Sequence, residues 1–148
     1  MIRSISFAAL LALAALLVLA GCSRSGSASD QQKREDEFAA MMSGATLVGK
    51  FSSGKSDQLK EDRYFISKIS RLAGNVWIFQ TRMGEHDVPV PVKVVWAGDT
   101  PMITLTDAGI PGMGSFTARV LFYRDQYAGT WSSSKGHGGQ MFGRIERK

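Results

Sequence analysis

Several segments after residue 46 alternate between apolar and polar positions. In VPVPVKVVW, residues 88–96, both prolines and Lys93 fall on one side, and the other side has Val88, Val90, Val92, Val94 and Trp96. The segments WIFQTRM (77–83) and FTARVLFY (116–123) repeat this period of two. Such alternation predicts β-strands with one face toward a core. Shorter strands are predicted at 46–51, 102–106, 127–131 and 140–147.

Short clusters of Gly, Pro, Asn and Asp separate these segments, which favours tight turns between consecutive strands. Two prolines, Pro89 and Pro91, lie inside one predicted strand. Because proline cannot donate a backbone hydrogen bond, we expect pairing to be limited along part of that strand.

The segment DRYFISKISRLAGN, residues 62–75, fits two structures. Phe65, Ile66, Ile69 and Leu72 recur at helical spacing, and Gly74 would suit the end of a helix. The Tyr, Phe and Ile content favours a strand instead, and the Gly-Asn pair at its end suits a hairpin turn. The strand is the preferred interpretation, with the helix as the alternative.

A strand at that position brings the total to about eight in about a hundred residues, enough for one domain. Consecutive strands joined by short turns predict a mainly β fold, an antiparallel meander that closes into a small barrel over residues 46–148. Closure removes exposed sheet edges. At this strand number the interior is filled by side chains or holds one small ligand.

Two segments resemble known proteins. LVGKF, residues 47–51, resembles the Gly-x-Trp first strand of the lipocalin and avidin group, with Gly49 in place and Phe51 where Trp would stand. The resemblance implies a lipocalin-like barrel. The segment YAGTWSSSKGHGGQMFGRI, residues 127–145, looks like a terminal hairpin of small bacterial envelope proteins and implies no particular activity.

The N-terminal segment predicts export. An apolar run over 5–20 follows Arg3, which is typical of a signal peptide, here residues 1–21. LAGC, residues 19–22, resembles the lipobox of bacterial lipoproteins, and the resemblance implies cleavage before Cys22, acylation of that residue and attachment to a membrane. Cys22 is the one cysteine in the chain, so an internal disulfide is excluded. Ser23 after it implies the outer membrane, facing the periplasm.

A flexible Ser- and Gly-rich tether is predicted over 22–29 and a short helix over 30–43. Ser29 or Asp30 can cap the helix, and Phe38, Met41 and Met42 share one face. We expect this helix to pack weakly on the domain or on the membrane surface.

The net charge of +5 comes from basic residues scattered along the chain. A mild attraction to anionic lipid or cell-wall polymer is expected from this charge. Ordinary solvation of the surface is the preferred explanation, and neither motif nor location suggests nucleic acid as a partner.

Three motifs resemble catalytic or ligand-binding motifs, but their sequence context does not support these functions. GKFSSGKS, residues 49–56, fits the phosphate-loop pattern, but that loop needs a parallel βαβ unit, so no nucleotide is expected. SSSK, residues 132–135, lies in a Gly-rich loop rather than on the helix that a Ser-x-x-Lys nucleophile requires. His86 and His137 lie in predicted loops, and EHD at 85–87 offers too few convergent ligands for zinc. No cofactor or metal is expected.

The apparently inward aromatic residues are the remaining candidates for binding. A ligand site formed by Trp77, Trp96, Phe116 and Trp131, on the same faces as Phe79 and Phe122, would suit a small apolar molecule. A packed core explains the same pattern and is the preferred alternative. Lys135 and His137, together with Met113, are candidates for contact loops.

The sequence therefore predicts a non-enzymatic, lipid-anchored envelope protein that binds a small ligand or another envelope component. Two alternatives stay open. One is an envelope hydrolase that uses a loop His or Ser, and the other is an inhibitor that inserts a loop such as 132–139 into a cell-wall hydrolase.

Overall fold

The computed structural model describes residues 28–54, 58–110 and 112–147. The predicted signal peptide (1–21), the lipidation site Cys22 and most of the predicted tether lie outside the described residues. The chain divides into two units, one reaching Lys33 and the other spanning Arg34–Lys148. The described part of the first unit is the beginning of a helix, and the second unit contains the rest of that helix and the whole sheet.

One helix precedes eight strands. The elements are α1 (Ala28–Met42), β1 (Ala45–Phe51), β2 (Lys60–Ala73), β3 (Val76–Met83), β4 (His86–Ala97), β5 (Thr100–Ile110), β6 (Gly114–Tyr123), β7 (Gln126–Ser133) and β8 (Gly138–Arg147). Each strand pairs antiparallel with the next, and β1 pairs with β8, so the sheet closes into a barrel. The predicted mainly β, eight-stranded antiparallel barrel is confirmed.

The ambiguous segment is strand β2, and a register shift explains its helix-like spacing. β2 pairs with β1 up to Ile66, and its register against β3 shifts between Ile66 and Lys68. An extra residue at such a β-bulge moves the inward face by one position. Ile66 and Ile69 are therefore both buried although they are three residues apart, a separation typical of a helix.

Strand β5 also contains a bulge, and it extends beyond its predicted end. The sequence predicts a strand over 102–106 followed by a loop, whereas β5 continues to Ile110. Its register against β6 shifts between Leu105 and Ala108, and Asp107 lies there with a φ of 47°. The alternation is interrupted at this bulge, so the sequence pattern resembles the end of a strand.

The part of helix α1 from Arg34 to Met42 closes one end of the barrel. Phe38 and Met42 are 2% and 0% exposed, and the Glu35 carboxylate, also buried, accepts a 2.6 Å hydrogen bond from Nη1 of Arg71 on β2. The Phe38 ring contacts Phe79 and Phe122 inside the barrel. The expectation that this helix packs weakly on the domain or on the membrane surface is wrong for this part of the helix, because its apolar face fills the barrel end.

The connections between strands define two ends. The end closed by α1 also carries the turns at 74–75, 98–99 and 124–125. The opposite end carries the connections that follow β1, β3, β5 and β7. We call these the closed end and the open end.

Candidate functional site

A cavity of about 350 Å³ occupies the half of the barrel nearest the open end. All eight strands contribute to its wall, which is mainly apolar. Leu47, Ile66 and Val92 lie deep in the wall, whereas Met113, which is 45% exposed, lies in the connection after β5. The cavity therefore reaches the surface at the open end.

Aromatic side chains form part of the mouth of the cavity. Trp131 has its ring centroid 5.8 Å from that of Phe51 and 6.5 Å from that of Phe116. The Trp131 indole Nε1 donates a hydrogen bond of 3.2 Å to the Ser52 carbonyl oxygen. This bond satisfies the polar edge of the indole and leaves its apolar surface available to the cavity.

The four predicted ligand-site aromatics separate into two pairs. Phe116 and Trp131 line the cavity. Trp77 and Trp96 are absent from its described lining residues, and they contact Phe38 of α1, with ring centroids 5.7 and 6.0 Å away. The second pair belongs to the packed closed end because its positions on β3 and β4 are near the helix.

Strands β4 and β5 are paired over only part of their length in the wall of the cavity. Among the described residues, these two strands pair over Lys93–Ala97 and Thr100–Thr104. The earlier part of β4 contains Pro89 and Pro91, whose missing N–H groups fall on the same edge of the strand. The predicted effect of the prolines is therefore seen on the β5 side, next to the cavity-lining residues Val90 and Leu105.

A row of four paired residues crosses the wall from β7 to β2. Tyr127 pairs with Gly143, Gly143 with Gly49, and Gly49 with Asp62. A Cβ atom placed on Gly143 would lie 2.8 Å from Cε1 of Tyr127, and one placed on Gly49 would collide with the Tyr127 hydroxyl. The phenol ring therefore lies across both glycines, and its hydroxyl comes close to the Asp62 position.

Asp62, Tyr64 and Tyr127 form a polar group beside the apolar cavity. Asp62 and Tyr64 line the cavity. Burial, and then the nearby Asp62 carboxylate, raise the pKa of Tyr64 well above its ordinary value. Burial and then the Asp62 charge raise the pKa of Tyr127 to about 12. Both phenols therefore stay protonated at neutral pH.

No protein-family model, curated protein or solved structure matches the chain. Its function must therefore be inferred from the cavity and the residues around it. Within the part of the chain that the structure describes, no helix is both long and apolar enough to cross a membrane.

The candidate loop residues Lys135 and His137 lie in the connection between β7 and β8, at the open end, and both are exposed. His86 was expected in a loop, and it is the exposed first residue of β4. No cluster of three or more His, Cys, Asp or Glu side chains suited to a metal occurs among residues 28–54, 58–110 and 112–147. Gly49 of the phosphate-loop motif lies inside β1, in a sheet of antiparallel strands.

Sequence reasoning missed Asp62, Tyr64 and Tyr127 as members of one site. The available signal was the presence of Gly49 and Gly143 inside strand patterns, since such glycines often mark a close approach by another group. The sequence alone does not say that these glycines are adjacent, because they lie in the first and last strands of the barrel.

Proposed function

We propose that this chain is a lipid-anchored protein of the bacterial envelope whose barrel binds a small, mainly apolar ligand at its open end without catalysing a reaction. The cavity of about 350 Å³ is the observation on which this proposal depends. Ligand sites are typically concave, apolar and about 300–1,000 Å³ in volume.

The arrangement of the two ends supports binding. Because α1 fills the closed end, a ligand has its route through the open end, past Phe116 and Trp131. A ligand that enters replaces water against an apolar wall, and burial of apolar surface contributes about 25 cal/mol per Å². The aromatic mouth adds flat surfaces for an aromatic or alkyl group.

The composition of the wall favours binding over catalysis. His86 and His137, the residues most suited to acid–base chemistry, are absent from the described lining of the cavity. The polar side chains among the described lining residues are Asp62, Tyr64 and Thr81, with the Trp131 indole N–H engaged by Ser52. Such a wall can hold and orient a molecule, and it offers few groups to transform one.

The location rests on the sequence LAGC, residues 19–22. Several acyl chains on Cys22 would supply the two or more membrane signals that stable anchoring needs. Labelled palmitate should enter the wild-type protein and should not enter the variant Cys22→Ser. Equal labelling of both would contradict the anchoring.

The cavity is tested by a substitution that fills it. We expect 3-phenylpropanol, an uncharged aromatic probe, to bind the full-length protein in nanodiscs of zwitterionic lipid. Leu105→Trp adds an indole to the cavity wall and should weaken this binding at least about tenfold, since the cavity volume is lost. Leu121→Trp is the matched control, because Leu121 is 42% exposed on the outside of the barrel.

Calorimetry measures the affinity, and circular dichroism checks that both variants fold. Equal binding by both variants, or no binding by the wild-type protein, would contradict the proposed function. Native mass spectrometry of protein taken from its own cells then identifies the natural ligand as additional mass on the intact chain.

A further inference from the structure

We propose that the ligand carries a protonated amine on its apolar body and that Asp62 binds this amine at the cavity wall. This inference rests on the proposed function, because it names the chemical class of ligand for the same cavity. Three observations support it: the charge of the cavity wall, the hydrogen-bond acceptor positions that remain available on the Asp62 carboxylate, and the position of the Tyr127 hydroxyl.

Asp62 gives the cavity its charge. Of the described residues that line the cavity, Asp62 is the one that has a carboxylate side chain. Lys, Arg and His are absent from that described lining, so its negative charge has no basic partner within the wall. Asp62 is half-buried, and a ligand that fills the cavity would remove water from its carboxylate. A cationic ligand would compensate for that loss with an opposite charge and hydrogen-bond donors.

The Asp62 carboxylate retains room for a ligand. Its Oδ1 accepts a hydrogen bond of 2.9 Å from the Arg63 backbone N–H. A carboxylate offers about four acceptor positions, so this bond leaves most of them available to a ligand. An ammonium group, which donates up to three hydrogen bonds, fits the remaining positions.

Tyr127 places a second polar atom near the Asp62 position, behind the described lining residues of the cavity. Its side chain is 2% exposed, and its hydroxyl is buried without a hydrogen-bond partner among the described residues. That hydroxyl lies at Gly49, whose register partner is Asp62. Buried polar groups are almost always hydrogen-bonded, so an orphan hydroxyl beside a carboxylate indicates a missing polar partner.

The overall charge of the chain would act in the opposite direction. With a net charge of +5, the protein attracts anions and repels cations at long range. A preference for a cationic probe would therefore come from the local site, and surface charge could not account for it.

Three probes with the same aromatic body test the charge. These are 3-phenylpropylamine, 3-phenylpropanol and 3-phenylpropanoate, measured by calorimetry at neutral pH on the full-length protein in zwitterionic nanodiscs. We expect the amine to bind at least about tenfold more tightly than the alcohol, because hydrogen bonds to charged groups are the stronger kind. The carboxylate should bind more weakly than the alcohol, because it is repelled by Asp62.

Substitutions then identify the residue responsible. Asp62→Asn keeps an acceptor for the Arg63 N–H and removes the charge, and it should reduce the advantage of the amine over the alcohol to less than about threefold. Tyr127→Phe keeps the ring over the glycines and should reduce the advantage by a smaller factor. Glu61→Gln is the matched control, since it removes one exposed carboxylate from the adjacent position of the same strand and should leave the advantage unchanged.

The outcomes separate this inference from the proposed function. If the alcohol fails to bind, the proposed function is overturned and the inference with it. If the alcohol binds and the amine binds no better, or if Glu61→Gln has the same effect as Asp62→Asn, the amine class is overturned and the cavity stands. Should Asp62→Asn not fold, the order of the three probes on the wild-type protein decides.

Discussion

The two ends of this barrel are built from the same alternating strands, yet one is packed and the other contains a cavity. At the closed end, Phe38 of α1 enters the barrel and contacts Trp77, Phe79, Trp96 and Phe122. At the open end, Trp131 contacts both Phe51 and Phe116 beside about 350 Å³ of cavity. The difference comes from the helix, since both ends have inward aromatic rings. Strand pattern alone therefore does not decide whether such a barrel is filled.

The largest loss of stability is expected when a cavity is made at the closed end. Phe38→Ala removes a ring that is 2% exposed and surrounded by aromatic side chains. Such truncations cost about 3–5 kcal/mol because they leave a cavity. Unfolding in urea, followed by circular dichroism, measures this loss of the free energy of unfolding.

Phe116→Ala provides the comparison at the open end. Phe116 is half-buried and already borders the cavity, so its removal should cost less than about 2 kcal/mol by the area that it buries. Equal losses for the two substitutions would show that both ends contribute alike to stability, against the difference described above.

A loss of stability smaller than that of Phe38→Ala is expected when Gly143, in the barrel wall, is made larger. A Cβ atom on Gly143 would collide with the carbonyl oxygen of Val48, and it would lie 2.6 Å from the Cα of Gly49 and 2.8 Å from Cε1 of Tyr127. Gly143→Ala should therefore displace both the facing strand β1 and the tyrosine ring and cost about 1–3 kcal/mol, as overpacking usually does. Gly109→Ala is the control, because a Cβ atom there meets nothing within 4 Å. A stable Gly143→Ala protein with unchanged tyrosine spectra would contradict the close approach of the ring.

A further effect on stability is expected at alkaline pH. Because burial and Asp62 raise the pKa of Tyr127 from 10.0 to about 12, the folded protein holds this proton more tightly than the unfolded chain. The resulting stability is fully present below about pH 10 and is lost as the pH rises toward 12. Tyr64, whose pKa is also raised, acts in the same direction.

The free energy of unfolding should therefore fall less steeply over this range in Tyr127→Phe than in the wild-type protein. Tyr123→Phe serves as the control, since it removes a phenol that is 51% exposed. Identical pH profiles for wild-type protein and Tyr127→Phe would contradict a raised pKa for Tyr127.

Much of the fold follows from local sequence patterns. Alternation predicted most strands, and closure followed from their number and from the short turns between them. The ambiguity at β2 and the error at β5 have local causes. The bulge near Ile66 imitates helical spacing within a correctly predicted strand, and the bulge at Asp107 conceals the second part of β5. A bulge changes the period by one residue and has no reliable mark of its own in a single sequence.

The candidate site was only partly predictable, because its members meet through pairing at long range. Alternation placed Phe116 and Trp131 on the inward side, but it could not separate them from Trp77 and Trp96, which belong to the packed end. That separation depends on how far Phe38 enters the barrel. Asp62 gave no signal, since a charged residue in a strand is most often on the solvent side.

The contact between Tyr127 and the two glycines also has an evolutionary consequence. Gly49, Tyr127 and Gly143 occupy one shared volume although the first and last of them stand near opposite limits of the barrel sequence. A larger residue at either glycine would meet Tyr127 and also backbone atoms of the facing strand, so a smaller residue at position 127 alone would not make room for it. Related sequences that keep this pairing of β1 with β8 should therefore keep both glycines, whatever residue they have at position 127.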